Sequence, residues 1–362
     1  MPVSQMLFRF VTSMLLVLGL AQHALAAVVL QYHHIDEETP ALTSISPDLF
    51  QRHIEYLVDN QFEVISTQTL AELLKAKDAK LNNPDVYLAV ITFDDGYSSV
   101  LNQALPILKK HNLPFTVFVN PQLVGKRGYM SWDELRYLQK QGAEIANHTL
   151  SHPHLIRKLP DETDKQWRQR VRQEVVEAEK ILDQKLDKFS RQLAYPYGEF
   201  NQEIRAIVKE LGYIAYSQHS GAVGTNSDLH ALPRFAFGGE YGELSTFKDK
   251  ANSLPMSFVE WQALDQNGKT LIDPLLPDEV TQPTLSIRVT KPLSLNCFAS
   301  GQGRIAVEKL DDLTYLTRAD KPLPVGRSRY NCTAPSGVGG RFYWLSQPFY
   351  RKKTDGSWYA EY

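Results

Sequence analysis

The sequence is short of several things, and each shortage narrows what the chain can be. It has two cysteines in 362 residues, Cys297 and Cys332. No CxxC pair is present, so no cysteine-built metal site or dense disulfide framework organises it. Its formal net charge is only −2, which gives no basic surface for nucleic acid or an anionic membrane. There is no fixed-period repeat and no low-complexity tract. Past the first residues no apolar run is long enough to cross a bilayer. What is present is an ordinary globular balance, 43% hydrophobic and 22% charged, at a length suited to one large domain with or without a small one.

Residues 1–26 read as a signal peptide. Arg9 supplies a positive start, Val11 to Leu20 an apolar core, and Ala24-Leu25-Ala26 a small-x-small cleavage pattern. The chain is therefore expected to be exported, to the periplasm or beyond, with no membrane span after signal removal. In that setting Cys297 and Cys332 are expected to bridge, which would constrain the unfolded chain by roughly 3–4 kcal/mol in the loop-entropy model.

From Val28 to about Phe237, short apolar strands alternate with helical patterns. Ser46-Pro47 opens a helix with Phe50, Ile54, Leu57 and Val58 on one face. Tyr87–Phe93 is a near-continuous apolar run, as in a strand buried on both faces. A helix is expected over roughly Ser98 to Lys110. Ser131-Trp-Asp-Glu134 is a capping box, Gly142 stands where that helix should stop, and Asn201 caps another helix. Regular βα alternation implies parallel strands wrapped by helices; alone it does not separate a barrel from an open sheet. After about Leu254 the pattern changes to β-prone runs, Thr284–Val289, Arg304–Val307, Arg341–Leu345 and Ser357–Tyr362, punctuated by Pro and Gly. The segment from Leu254 to Pro283 reads equally as a linker or as the first elements of that β-rich part. The late aromatics Phe342, Tyr343, Trp344, Phe349, Tyr350, Trp358 and Tyr359 are read as core rather than as sugar platforms.

Three strand ends carry residues suited to chemistry. Asp94-Asp95 closes the Tyr87–Phe93 strand, at the carboxyl end where α/β folds bind ligands; Asp-Asp-Gly is also a common turn. His148 and His152 follow the strand Ala143–Ala146. They suit one metal if the segment coils as a helical turn, and nearby His154 leaves the second ligand ambiguous. One carboxylate and two imidazoles make a facial metal site. The turn Pro196-Tyr197-Gly198 can aim a backbone N–H as an oxyanion donor. His33, after the first strand, would face the same end of the sheet.

Together, Thr92-Phe-Asp-Asp-Gly96, His148-Thr-x-x-His152 and Tyr195-Pro-Tyr-Gly198 resemble the motifs of the NodB-homology polysaccharide deacetylases, carbohydrate esterase family 4. The segments Tyr32 to Ile35, Trp132 to Leu135 and Leu232 to Arg234 resemble more narrowly the poly-β-1,6-N-acetylglucosamine deacetylases of biofilm operons. The resemblance implies a distorted (β/α)7-type barrel over residues 27–253, followed by a smaller all-β domain, 254–362, with no assigned role. It implies that Asp95, His148 and His152 hold a divalent cation, Zn2+ foremost, with Co2+ or Ni2+ as alternatives. Asp94 would be the general base and the Tyr197 N–H the oxyanion donor. The family's late Leu-x-His is absent, Leu232-Pro233-Arg234 standing in its region, so His33 takes the general-acid role. Ala194 stands where the family carries an arginine, which makes Arg234 the candidate to orient Asp94. Tyr195, Pro196, Trp132 and Arg234 are expected at the substrate. The implied partners are a polysaccharide substrate and polysaccharide export machinery. Competing readings are a deacetylase of peptidoglycan or chitin oligosaccharides, a non-catalytic carbohydrate-binding protein, and a non-haem iron oxygenase.

Overall fold

The structure, a computed structural model, describes residues 27–78, 81, 86–188 and 190–360. The expected signal peptide lies outside them. The first part of the chain runs β1 (Ala27–Tyr32), a two-residue pair β2 (His34–Ile35) and β3 (Ser44–Ile45), α1 (Pro47–Asp59), β4 (Glu63–Val64), α2 (Thr67–Ala76), β5 (Leu88–Phe93), α3 (Leu105–Lys110), β6 (Thr116–Val119), α4 (Trp132–Lys140), β7 (Glu144–Asn147), α5 (Asp164–Lys185), β8 (Ser190–Ala194), α6 (Gln202–Glu210), β9 (Ile214–Tyr216), β10 (Phe235–Ala236) and α7 (Leu244–Ala251).

Among the described residues, β10-β1-β5-β6-β7-β8-β9 form one sheet, with β4 also paired to β5, and every pairing is parallel. This sheet fits the distorted barrel that the family resemblance implies. Between β9 and β10 the closure is made by the segment that joins them: Ser217 N–H donates to the Leu232 carbonyl and Arg234 N–H to that of His219. β1 and β5 are buried along their whole length, as strands covered on both faces must be.

Local signals set the element ends. Ser46 accepts from the Leu49 N–H with Pro47 at the first helical position, and the Ser131–Glu134 box is formed in both directions. Gly142 sits at φ 95° just past α4, and Asn201 caps α6. One expectation is corrected. Val58 is 38% exposed, at the edge of the α1 stripe rather than within it. The helix expected from Ser98 to Lys110 is present but widens to a π turn over Val100–Ala104 before α3. Pro106 lacks the N–H that a regular turn would use there.

The remainder is β-structure: β11 (Ser253–Pro255), β12 (Phe258–Leu264), β13 (Thr270–Leu271), β14 (Thr284–Val289), β15 (Asn296–Ala299), β16 (Gly303–Ile305), β17 (Val307–Lys309), β18 (Thr314–Arg318), β19 (Gly326–Pro335) and β20 (Phe342–Arg351). They make two sheets, β11-β20-β19-β15-β16 and β13-β12-β14-β18-β17. The segment from Leu254 to Pro283 thus supplies strands to both rather than acting as a linker. Cys297 and Cys332 face each other across β15 and β19 and are disulfide-bonded. β20 runs six residues past the expected Leu345, to Arg351, and Ser357 to Ala360 form no strand. Tyr343, Phe349 and Tyr350 are buried as core, whereas Phe342 is 44% exposed. The two parts share one hydrophobic cluster. At their junction Trp344 meets Phe235 edge-on at 5.2 Å.

Candidate active site

The carboxyl ends of β1, β5, β7 and β8 bring the motif residues together. Asp94 and Asp95 follow β5 directly. The Asp94 N–H continues the sheet register by donating to the Tyr32 carbonyl (2.9 Å). Asp95 then takes φ 69° and Gly96 φ 78°, which turns the two neighbouring carboxylates into different surroundings.

Asp94 is fully buried and saturated with donors. Arg234, also fully buried, clamps it with both terminal nitrogens at 2.7 and 2.8 Å. Gln31 Nε2 donates to Oδ2 at 2.7 Å, and His33 Nε2 lies 3.9 Å from the same oxygen. Burial raises the carboxyl pKa, but the Arg234 charge outweighs it and holds Asp94 below the usual carboxylate range. Arg234 is fixed in turn by its Nε–H to the Ser217 carbonyl (3.0 Å) and lies 5.4 Å from the Phe118 ring.

Asp95 is the opposite case. Its Oδ1 is buried and has no hydrogen-bond partner, yet His148 Nε2 and His152 Nε2 each approach it to 3.4 Å. One donor atom from each of the three residues lies within 4.8 Å of the others. His148 Nδ1 is 2.8 Å from the Ala194 carbonyl. It therefore donates there and leaves the Nε2 lone pair facing Asp95, the usual orientation of a metal-ligating imidazole. Burial and the neighbouring His148 hold His152 down to about pKa 4, so it is neutral at physiological pH. A stranded carboxylate oxygen facing two imidazoles is a donor set able to hold a divalent cation.

The loop that brings the histidines together is not the expected helical turn. Thr149 and His152 both have positive φ, 67° and 60°, and the Thr149 N–H donates to Asn147 Oδ1. Left-handed backbone at a β-branched residue costs energy; here it folds His152 back over His148, with ring centroids 4.9 Å apart. His154 is turned away from this pair. Its Nδ1 donates to Glu199 Oε2 at 2.8 Å, and its ring stacks on Tyr197 at 3.8 Å.

Tyr197 lies at φ 59° in the short turn Pro196–Gly198, its ring 4.6 Å from that of His152. Gly198 is required there: a Cβ would come within 2.6 Å of the Gln218 backbone nitrogen. Three of the four expected substrate contacts, Tyr195, Pro196 and Arg234, are buried. Tyr195 is fully buried, donating its hydroxyl to the His230 carbonyl, and Pro196 is buried beside it. Trp132, at the start of α4, packs half-buried against the main hydrophobic cluster. Arg234, the fourth, binds Asp94 and is too deep to meet a polymer. Sequence reading also missed Gln31 and Glu199. Gln31 carried a signal, being the one polar side chain in the apolar run Ala27–Tyr32; Glu199 carried none.

Residues 82–216 match the family model described as polysaccharide deacetylase. A Staphylococcus aureus (strain MRSA252) protein named poly-beta-1,6-N-acetyl-D-glucosamine N-deacetylase is 28% identical over 199 residues, 53% of this chain and 67% of that one. In structure the fold is similar to the Streptococcus pyogenes deacetylase PplD, solved with acetate (TM-score 0.55, 22% identity, 63% of this chain and 99% of that chain). It is also similar to IcaB from Ammonifex degensii (TM-score 0.53, 22% identity, 63% and 98%).

Proposed function

We propose, from the match of residues 82–216 to the polysaccharide deacetylase family and the similarity to named deacetylases, that the chain is an exported, metal-dependent enzyme removing N-acetyl groups from poly-β-1,6-N-acetylglucosamine. The observation that carries the reading is the divergence of Asp94 and Asp95: one carboxylate is locked to an arginine, its neighbour has one buried oxygen left without a hydrogen bond against two imidazoles. The polymer assignment rests on the Staphylococcus aureus relative and on the Tyr32 to Ile35 and Leu232 to Arg234 segments.

Asp95, His148 and His152 would hold the cation, most readily Zn2+. When bound, such an ion polarises a carbonyl and makes water a better nucleophile at neutral pH. The chain's own groups do the rest. Asp94, ionised and held by Arg234 and Gln31, takes the proton of the attacking water. The positive φ of Tyr197 presents its backbone N–H to the developing oxyanion. His33, beside Asp94 at the end of β1, delivers a proton to the departing sugar amine.

The test is acetate release from purified poly-β-1,6-N-acetylglucosamine, with and without chelator, beside β-1,4-linked oligomers of the same length. Chelator-sensitive release favouring the β-1,6 polymer is expected. Equal or better release from β-1,4 oligomers would overturn the polymer assignment, and no metal-dependent release from either would overturn the activity.

A further inference from the structure

The turn that carries Tyr197 is gripped from the far end of the chain. Glu199, two residues after Tyr197, is a fully buried carboxylate with three donors. One is His154; the others, Arg327 Nη1 at 3.2 Å and the Tyr359 hydroxyl, come from the β-rich C-terminal part. These donors, His154 and Tyr359 foremost, outweigh the burial that would raise its pKa and keep Glu199 ionised. Gly198 is held by a further C-terminal group: its carbonyl accepts from the buried Tyr350 hydroxyl at 3.0 Å. The Tyr197 ring lies between His154 and Arg327, whose guanidinium is 5.3 Å from the ring centroid. A cavity of about 90 Å3 is lined by Tyr197 and Gln218 together with Arg327, Arg329 and Tyr350 of the C-terminal part. Arg157 ties the end of the chain down, donating to the Tyr359 carbonyl at 3.0 Å.

We propose that the C-terminal sheets complete the active site, with Arg327, Tyr350 and Tyr359 as positioning residues that hold the Pro196–Glu199 turn so that the Tyr197 N–H points at the reacting carbonyl. The inference rests on the proposed role of Tyr197. A non-glycine residue at positive φ is a conformation that its surroundings must enforce. The surroundings here are a buried carboxylate on one side of the turn and a buried hydroxyl on the other, both met from β19, β20 and the chain end. The bonds these three residues make to the turn end on Gly198 and Glu199, so their effect should fall on turnover and not on metal binding.

The full-length double variant Tyr350→Phe/Tyr359→Phe removes both hydroxyls and keeps both rings. Its kcat should fall about tenfold, with KM and bound metal unchanged within about twofold, the pattern of an interaction expressed only in the transition state. Amide exchange supplies a readout that needs no activity. The Gly198 and Glu199 N–H groups donate to Tyr195 and Pro196 within the turn, and should exchange about tenfold faster in the variant. Unchanged kcat or unchanged exchange would overturn the proposal, as would loss of metal together with turnover. If the unaltered protein releases no acetate from any polymer, the functional reading falls, and exchange alone then decides whether the C-terminal sheets hold the turn.

Discussion

The two sides of the Asp94–Asp95 peptide bond make the most instructive comparison in the molecule. On one side Asp94 meets two arginine nitrogens and an amide; on the other Asp95 keeps a buried oxygen with no hydrogen bond at all. A fold that could satisfy one carboxylate so fully had donors available for the other. Burying an unpaired carboxylate oxygen is costly, so an arrangement that sets two imidazoles 3.4 Å from it is one that a cation would stabilise. In the proposed mechanism, saturation fixes a base in place, whereas the bare oxygen supplies a ligand.

The strongest way to disturb this contrast is at Arg234. Arg234→Met leaves Asp94 buried and uncompensated, and should cost about 3–5 kcal/mol of stability in denaturant unfolding. A loss below 1 kcal/mol would mean that the pair is not the anchor described. Next is His33→Ala, expected to lower turnover about 100-fold, in the range of a lost general acid, with the metal retained; an unaltered rate removes His33 from the chemistry. Gln31→Leu should cost only about 1 kcal/mol, because the lost bond to Asp94 is offset by removing an amide oxygen that is itself buried without a partner. The smallest effect comes from behind Asp94. His53 accepts from the Tyr32 hydroxyl and donates to the Gly242 carbonyl, and burial, with Lys250 and Arg52, lowers its pKa to about 3. A histidine depressed on folding contributes stability that is complete above its unfolded value of 6.5 and is lost as the pH falls from there toward 3. Between pH 7 and pH 6 the loss should be roughly 0.7 kcal/mol, seen as a falling melting temperature that His53→Gln flattens.

How much of this was readable in the sequence follows from the range of each interaction. The strand ends at Phe93 and Asn147, the capped helices and the turn at Gly198 are fixed by neighbours a few residues away, and their patterns were visible. The histidine loop was misread because its path depends on left-handed residues, Thr149 and His152, that no local preference favours. Gln31 and Asp94 are 63 positions apart, Asp94 and Arg234 are 140, and Glu199 and Tyr359 are 160. A periodic pattern says which face a residue occupies; it does not say which distant polar group shares that face. Arg234 came into view only because the family's arginine was missing at Ala194 and a substitute was needed. Nothing in the local pattern placed Tyr350 or Tyr359 beside the turn at Gly198. The misplacement of Tyr195 is of the same kind: an aromatic residue next to a motif was read outward, when the packing around β8 turned it in.

The account's central claim is that the neighbouring acids have separate duties, and metal content measured after equilibrium dialysis tests it most directly. The unaltered protein and Asp94→Asn should each retain a divalent ion at one per chain, with Asp94→Asn inactive, while Asp95→Asn should retain none. An Asp95→Asn protein that keeps its ion, or an Asp94→Asn protein that loses it, would contradict the account.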